Sequence, residues 1–123
     1  FEALDRPVRE GRGAHVALHW LGADGRVRRI TYDALRRDAN RFANVITALG
    51  LGRGDRLFVL LPRLPELYAA VLGAMKAGVV VSPLFPAFGP EPIATRMNLG
   101  AAAAVVTTPS LHARKLAPVR AQI

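Results

Sequence analysis

The sequence has 123 residues, with 17 Lys and Arg against 9 Asp and Glu (net charge +8), no cysteine and 51% apolar residues. That length suits one modest domain, and the missing cysteines exclude disulfides and thiolate metal sites and fit a reducing compartment. The longest apolar run, around Ala101–Val106, is far short of the roughly 18 to 20 residues a bilayer core demands, so no membrane-spanning helix is expected.

Residues 1–13 mix charges of both signs with the breakers Pro7, Gly11 and Gly13, and read as an irregular lead-in without the apolar centre of a secretory signal. His15–Leu21 gathers β-favouring residues around Val16, Leu18 and Trp20, and Val27–Ile30 follows the Gly22–Gly25 turn, which predicts a β-hairpin. Thr31 stands at an N-cap position before Tyr32, Leu35, Ala39, Phe42, Ala43, Ile46 and Leu49. Their spacing of three and four puts them on one helical face, and Gly50 supplies the stop.

Leu57–Leu61 is five apolar residues in a row, the pattern of a strand buried on both faces. Pro65 then opens a helix whose apolar face is Leu67, Ala70, Val71, Ala74 and Met75, and Gly78 closes it. Val79–Val81 reads as the next buried strand, Pro90–Leu99 as a short helix and Ala104–Thr107 as a third strand. Ala101–Ala103 fits a helix equally well by propensity. Thr108 or Ser110 caps a last helix running toward Arg120. Alternating βα units predict an α/β fold: part of a three-layer parallel sheet with flanking helices, preceded by a β-hairpin. With three such strands the sheet exposes an edge, so residues 14–123 are expected to be an incomplete part of a larger domain.

The positive charge raises a second reading, a non-enzymatic basic module that binds nucleic acid or another acidic partner. Its distribution opposes this, because 12 of the 15 arginines lie before Leu64, interleaved with seven acids, and no basic run reaches five residues. His15, His19 and His112 form no pair at metal-ligand spacing, and Ser82 and Ser110 lack an evident base, so neither a metal site nor a nucleophile is expected. Gly50, Gly52 and Gly54 lie between a helix and a strand, whereas a dinucleotide fingerprint runs from strand to loop to helix. Trp20 and Tyr32 read as packing residues, Asp33 and Asp38 as helix-surface acids, and Arg96 as a member of a structural pair.

The ordered series Ile30–Arg37, Asn40–Asn44, Ala48–Asp55, Leu60–Glu66 and Ala70–Val81 resembles the opening of the adenylate-forming superfamily. Leu18–Gly25, and Leu84–Glu91 followed by Arg96, are similar to the acetyl- and short-chain acyl-CoA synthetase branch. The resemblance implies a cytoplasmic AMP-forming acyl-CoA ligase that uses ATP, Mg²⁺, CoA and a short-chain carboxylate such as acetate. It implies further that the phosphate loop, the acids for ribose and Mg²⁺ and the catalytic lysine have no counterpart in these 123 residues. The expectation is therefore no catalytic residue, no tight cofactor binding and no activity for this chain by itself.

One partial site follows from the resemblance: the loop Phe85-Pro86-Ala87-Phe88 with the cations Arg114 and Lys115, which would contact the nucleotide part of CoA. Relatives often carry two glycines where this chain has Pro86 and Ala87, and those residues restrict or crowd the backbone. The same two cations also fit two solvated charges on an exposed helix face. A third reading is an interaction fragment that docks onto a separate chain carrying the catalytic half.

Overall fold

The computed structural model describes all 123 residues. The lead-in departs from expectation: Asp5–Pro7 forms a helical turn, α1, and Val8–Arg12 continues it as a wide π-type turn. Burial of Leu4 and Pro7 explains the helix, which the scattered breakers had obscured. Gly11, at φ +81°, supplies the exit bend.

The expected hairpin follows, with β1 (Val16–Leu21) antiparallel to β2 (Val27–Thr31) and a bulge between Val16 and Leu18. Trp20 Nε1 donates to Arg63 O at 2.7 Å, and Arg28 meets Glu66 at 3.3 Å, so the hairpin is fastened to residues 63–66. Helix α2 (Tyr32–Ala48) begins at Thr31, whose Oγ1 accepts from Ala34 N at 3.2 Å. It ends at Gly50, which has φ +89°. Leu35, Ala39 and Ile46 are its buried residues, as the periodicity requires, but Leu49 falls at the cap beyond the helix and is exposed.

The second sheet is parallel, in the order β4-β3-β5, from β3 (Arg56–Leu60), β4 (Val80–Pro83) and β5 (Ala104–Thr107). Helix α3 (Pro65–Lys76) joins β3 to β4, and α4 (Pro90–Leu99) joins β4 to β5. The two connections run in opposite directions across the sheet, so a shared right-handed sense sends their helices to opposite faces. The core reflects this. Leu57, Val59 and Leu61 pack with Ile46, Ala70 and Ala74, while Phe58 and Leu60 pack with Ile93, Met97, Leu111 and Leu116. Leu57–Leu61 thus alternate between two separate cores, which is why that run is apolar, while Arg56 at the start of β3 stays exposed.

Helices α2 and α3 approach closely at Gly73. A Cβ there would strike the carbonyl oxygen of Ala39 and lie 3.1 Å from Phe42 Cβ. After Gly100, Ala101 (φ +45°) turns the chain into β5, so Ala101–Ala103 are a connector and not a helix.

The last segment is helical but changes pitch. It passes from α5 (Pro109–Leu111) through a π-type turn (His112–Leu116) to a 3₁₀ stretch (Ala117–Gln122). Thr108, not Ser110, is the cap, accepting from Leu111 N at 3.2 Å. Pro118 has no N–H to continue the α-ladder. The buried Leu111, Leu116 and Val119 are five and then three residues apart, which suits the wide turn followed by the tight one. No helix is long and apolar enough to cross a membrane.

Candidate functional site

All three strands of the parallel sheet point the same way, so their C-terminal ends open on one side, where α/β sheets place ligands. The loop after β4 emerges there. Leu84 anchors it: the side chain is buried, and its N–H donates to Val59 O at 2.8 Å. Phe88 N donates to Phe85 O at 3.0 Å, closing a turn with Pro86 as its first central residue. Neither Pro86 nor Ala87 has a positive φ, so this turn does not require glycine at either position.

Three side chains converge on Phe88. Its ring is half-buried against the core of Leu84, Ile93 and Leu116, with the exposed Phe85 ring edge-on at 5.7 Å. The Arg96 guanidinium from α4 lies 4.3 Å from the Phe88 ring centre. Lys115 Nζ, 27 residues further along the chain, donates to Phe88 O at 2.8 Å. The structure therefore joins the loop to Lys115 and adds Arg96, which the sequence had assigned to a structural pair. Arg96 meets no acid; its Nη1 donates to Pro92 O of its own helix at 3.0 Å. Arg114 is exposed, and its Nε reaches Ser110 O at 3.4 Å. The signal missed in the sequence was the pairing of Phe88 with a cation eight residues later, one helix further on.

Other residues singled out take structural roles. Asp33 pairs with Arg36 at 3.0 Å and with Arg37, Trp20 donates to a backbone carbonyl, and Tyr32 packs beside Leu35. Within the Gly50–Gly54 string, Gly50 N–H goes to Thr47 O, Gly52 N–H to Asp55 Oδ2 and Gly54 N–H to Gly78 O. Those donors hold the connector and form no phosphate cradle. Asp5 and Glu10 have carboxyls held below their usual range, Asp5 first by the Lys76 hydrogen bond and Glu10 first by that from Arg12. Neither lies in the loop cluster. No three His, Asp or Glu side chains gather in a metal-binding arrangement.

A separate groove of about 530 Å³ runs between α2, the start of α3 and β5, floored by Phe42, Leu61, Ala70 and Val106. It shares no residue with the loop cluster, and Thr107 Oγ1 at its margin is buried without a hydrogen-bond partner.

The arrangement offers a rigid aromatic turn flanked by cations that no acid neutralises, a setting suited to a flat ring bearing phosphates. Residues 5–123 match the family model described as AMP-binding enzyme. The chain is 39% identical over 115 residues to an acetyl-coenzyme A synthetase of Bacillus subtilis (strain 168), covering 93% of this chain and 20% of that protein. It is 44% identical over 99 residues to an acetyl-coenzyme A synthetase of Syntrophus aciditrophicus (strain SB), covering 80% of this chain and 15% of that protein. The solved acyl-CoA synthetase of Brucella canis superposes with a TM-score of 0.88 at 39% identity, over 96% of this chain and 21% of that one. The chain spans between 15% and 21% of the length of these relatives.

Proposed function

The chain belongs to the AMP-binding enzyme family, and from that premise we propose that it is the N-terminal part of an AMP-forming acyl-CoA ligase acting on acetate or another short-chain acid. The intact enzyme would convert acid, ATP and CoA to acyl-CoA, AMP and pyrophosphate, in the cytoplasm. ATP and Mg²⁺ would activate the acid through groups outside these 123 residues. This chain's contribution would be to the CoA nucleotide, through the turn Phe85-Pro86-Ala87-Phe88 and the cations Arg114 and Lys115.

The observation that carries the site assignment is the Lys115–Phe88 hydrogen bond, which fastens the last helical segment onto the turn. It leaves an ammonium at the Phe88 carbonyl, on the backbone of the turn, with no acid partner. A phosphate approaching the turn would meet that charge, while Phe85, 56% exposed, offers an aromatic surface. The short-chain assignment is supported by similarity to acetyl-coenzyme A synthetases over most of the chain. The alternative of a nucleic-acid-binding module needs a contiguous free positive face. Ion pairs on Arg6, Arg12, Arg26, Arg28, Arg36, Arg37, Arg41 and Lys76 reduce what is free.

The test is acid-dependent AMP formation by the full-length protein, measured with acetate and longer acids in the presence and absence of CoA. The 123-residue chain by itself is expected to release no pyrophosphate. Acetate-dependent pyrophosphate release from the pure chain would overturn the division of labour, and a full-length protein inert toward all short acids would overturn the substrate assignment.

A further inference from the structure

Arg96 was not among the residues expected at the candidate site, yet its guanidinium lies over the ring that organises the turn. We infer that Arg96 is a positioning residue that holds Phe88, and through it the whole turn, in the orientation that receives the nucleotide of the thiol substrate. The inference rests on the proposed CoA reading and deepens it by naming what keeps the site in shape.

Phe88 is constrained from two sides and through its backbone. Inside, its ring packs against the core that includes Phe58, Leu84, Ile93 and Leu116. Outside, the remaining face is covered at 4.3 Å by Arg96, a side chain exposed to solvent and bound to no acid. The guanidinium is itself aimed: Nη1 donates to Pro92 O at 3.0 Å, so helix α4 presents the cation in one direction. Phe88 also supplies the carbonyl that accepts from Lys115 and the N–H that closes the turn on Phe85. One residue thus fixes the Phe85 ring, the Lys115 ammonium and the turn backbone together. A shift of the Phe88 ring would carry all three, and a delocalised cation on its outer face resists that shift.

Two alternatives make different predictions. If Arg96 only stabilises α4, its loss should harm every activity of the full-length enzyme equally. If it touches a phosphate directly, its loss should matter whether or not Phe88 is aromatic.

The experiment uses the full-length protein with Arg96→Ala, Arg96→Lys, Phe88→Leu and the Arg96→Ala/Phe88→Leu double variant. Acid-dependent ATP–pyrophosphate exchange without CoA is measured beside the KM for CoA. Arg96→Ala is expected to raise the KM for CoA about fivefold, the upper end for an exposed cation–ring contact. Exchange should stay within about twofold of the parent, Arg96→Lys, which keeps a cation but not the planar guanidinium, should recover part of the loss, and the double variant should be no worse than the worse single one. Exchange falling in step with CoA use, additive losses in the double variant, or an unchanged KM for Arg96→Ala would each overturn the assignment. Lys115→Ala separates the two levels. If it raises the KM for CoA while Arg96→Ala does not, the positioning role alone fails; if neither does, the CoA reading of the loop fails with it.

Discussion

Lys76 Nζ donates to Asp5 Oδ2 at 2.7 Å, and the same ammonium donates to Asn40 Oδ1 at 2.7 Å, so one side chain of α3 ties the N-terminal turn to α2. Both partners of the ion pair are largely withdrawn from solvent, at 18% and 23% exposed, which sets this contact apart from the pairs on the outer surface.

The Asp5 carboxyl is held below its usual value of 3.8, chiefly by the Lys76 hydrogen bond, against an opposing effect of burial. A carboxyl whose pKa is lower folded than unfolded adds stability above the unfolded value, and that stability is lost as pH falls through the folded value. Asp5→Asn is therefore expected to lower stability at pH 7 by about 1 to 2 kcal/mol, the range of a charge-assisted hydrogen bond. The gap to the parent should narrow as pH falls below the ordinary carboxyl value of 3.8 and close only below the lowered folded value. Urea midpoints of both proteins at pH 7 and pH 3 check this, and a gap of equal size at the two pH values refutes it.

Gly73 gives a case where the usual propensity effect should change sign. In an exposed helix interior, Gly→Ala gains about 1 kcal/mol. At Gly73 the added methyl meets the Ala39 carbonyl oxygen and Phe42, so backbone has to move. Gly73→Ala should destabilise by about 1 to 3 kcal/mol, the range for overpacking a tight site. A chemical denaturation curve with an unchanged or raised midpoint would show that α2 and α3 can separate at little cost.

The hairpin makes two contacts with residues 63–66 that ought to differ in weight. Trp20 Nε1 reaches Arg63 O at 2.7 Å, whereas Arg28 and Glu66 pair at 3.3 Å with both side chains more than half exposed. Trp20→Phe removes the donor and leaves a carbonyl to find water, an expected loss of about 1 kcal/mol or more. Arg28→Ala should cost less than about 1 kcal/mol. Since Trp20 is the sole tryptophan, its emission in the Arg28→Ala protein also reports whether the hairpin stays docked.

What the sequence disclosed follows from where each signal is carried. Helix α2 was legible because Leu35, Ala39 and Ile46 repeat on one face and Thr31 and Gly50 mark its ends. Strand β3 was legible because the part of a strand that lies between two cores is apolar on both faces, as Leu57–Leu60 is, after the exposed Arg56 at its start. The lead-in was not, since its helix rests on only two buried residues, Leu4 and Pro7, among charges and breakers. Nor was the pitch change after Thr108, which becomes visible only when the burial of Leu111, Leu116 and Val119 is known.

The candidate site divides in the same way. Phe85–Phe88 and Lys115 were named from an ordered resemblance, but the hydrogen bond that joins them spans 27 residues and has no local signature. Arg96 was legible as a charge on a short helix; that it faces a ring and not an acid depends on how α4 packs over the turn.

The turn itself yields the last prediction. Pro86 and Ala87 are both outside the positive-φ region and the turn is closed by the Phe88–Phe85 hydrogen bond. Proline at the first central position fixes φ near the value such turns adopt, and it does so in the unfolded chain as well. Pro86→Gly should therefore lower stability by about 0.5 to 1 kcal/mol through the gain in unfolded-state freedom, with no contact in the core removed. The check is the thermal midpoint of Pro86→Gly beside that of Pro86→Ala, which keeps a Cβ and should fall less. If the glycine variant melts at or above the parent, Pro86 is strained where it stands, and the turn is shaped by something other than its own sequence.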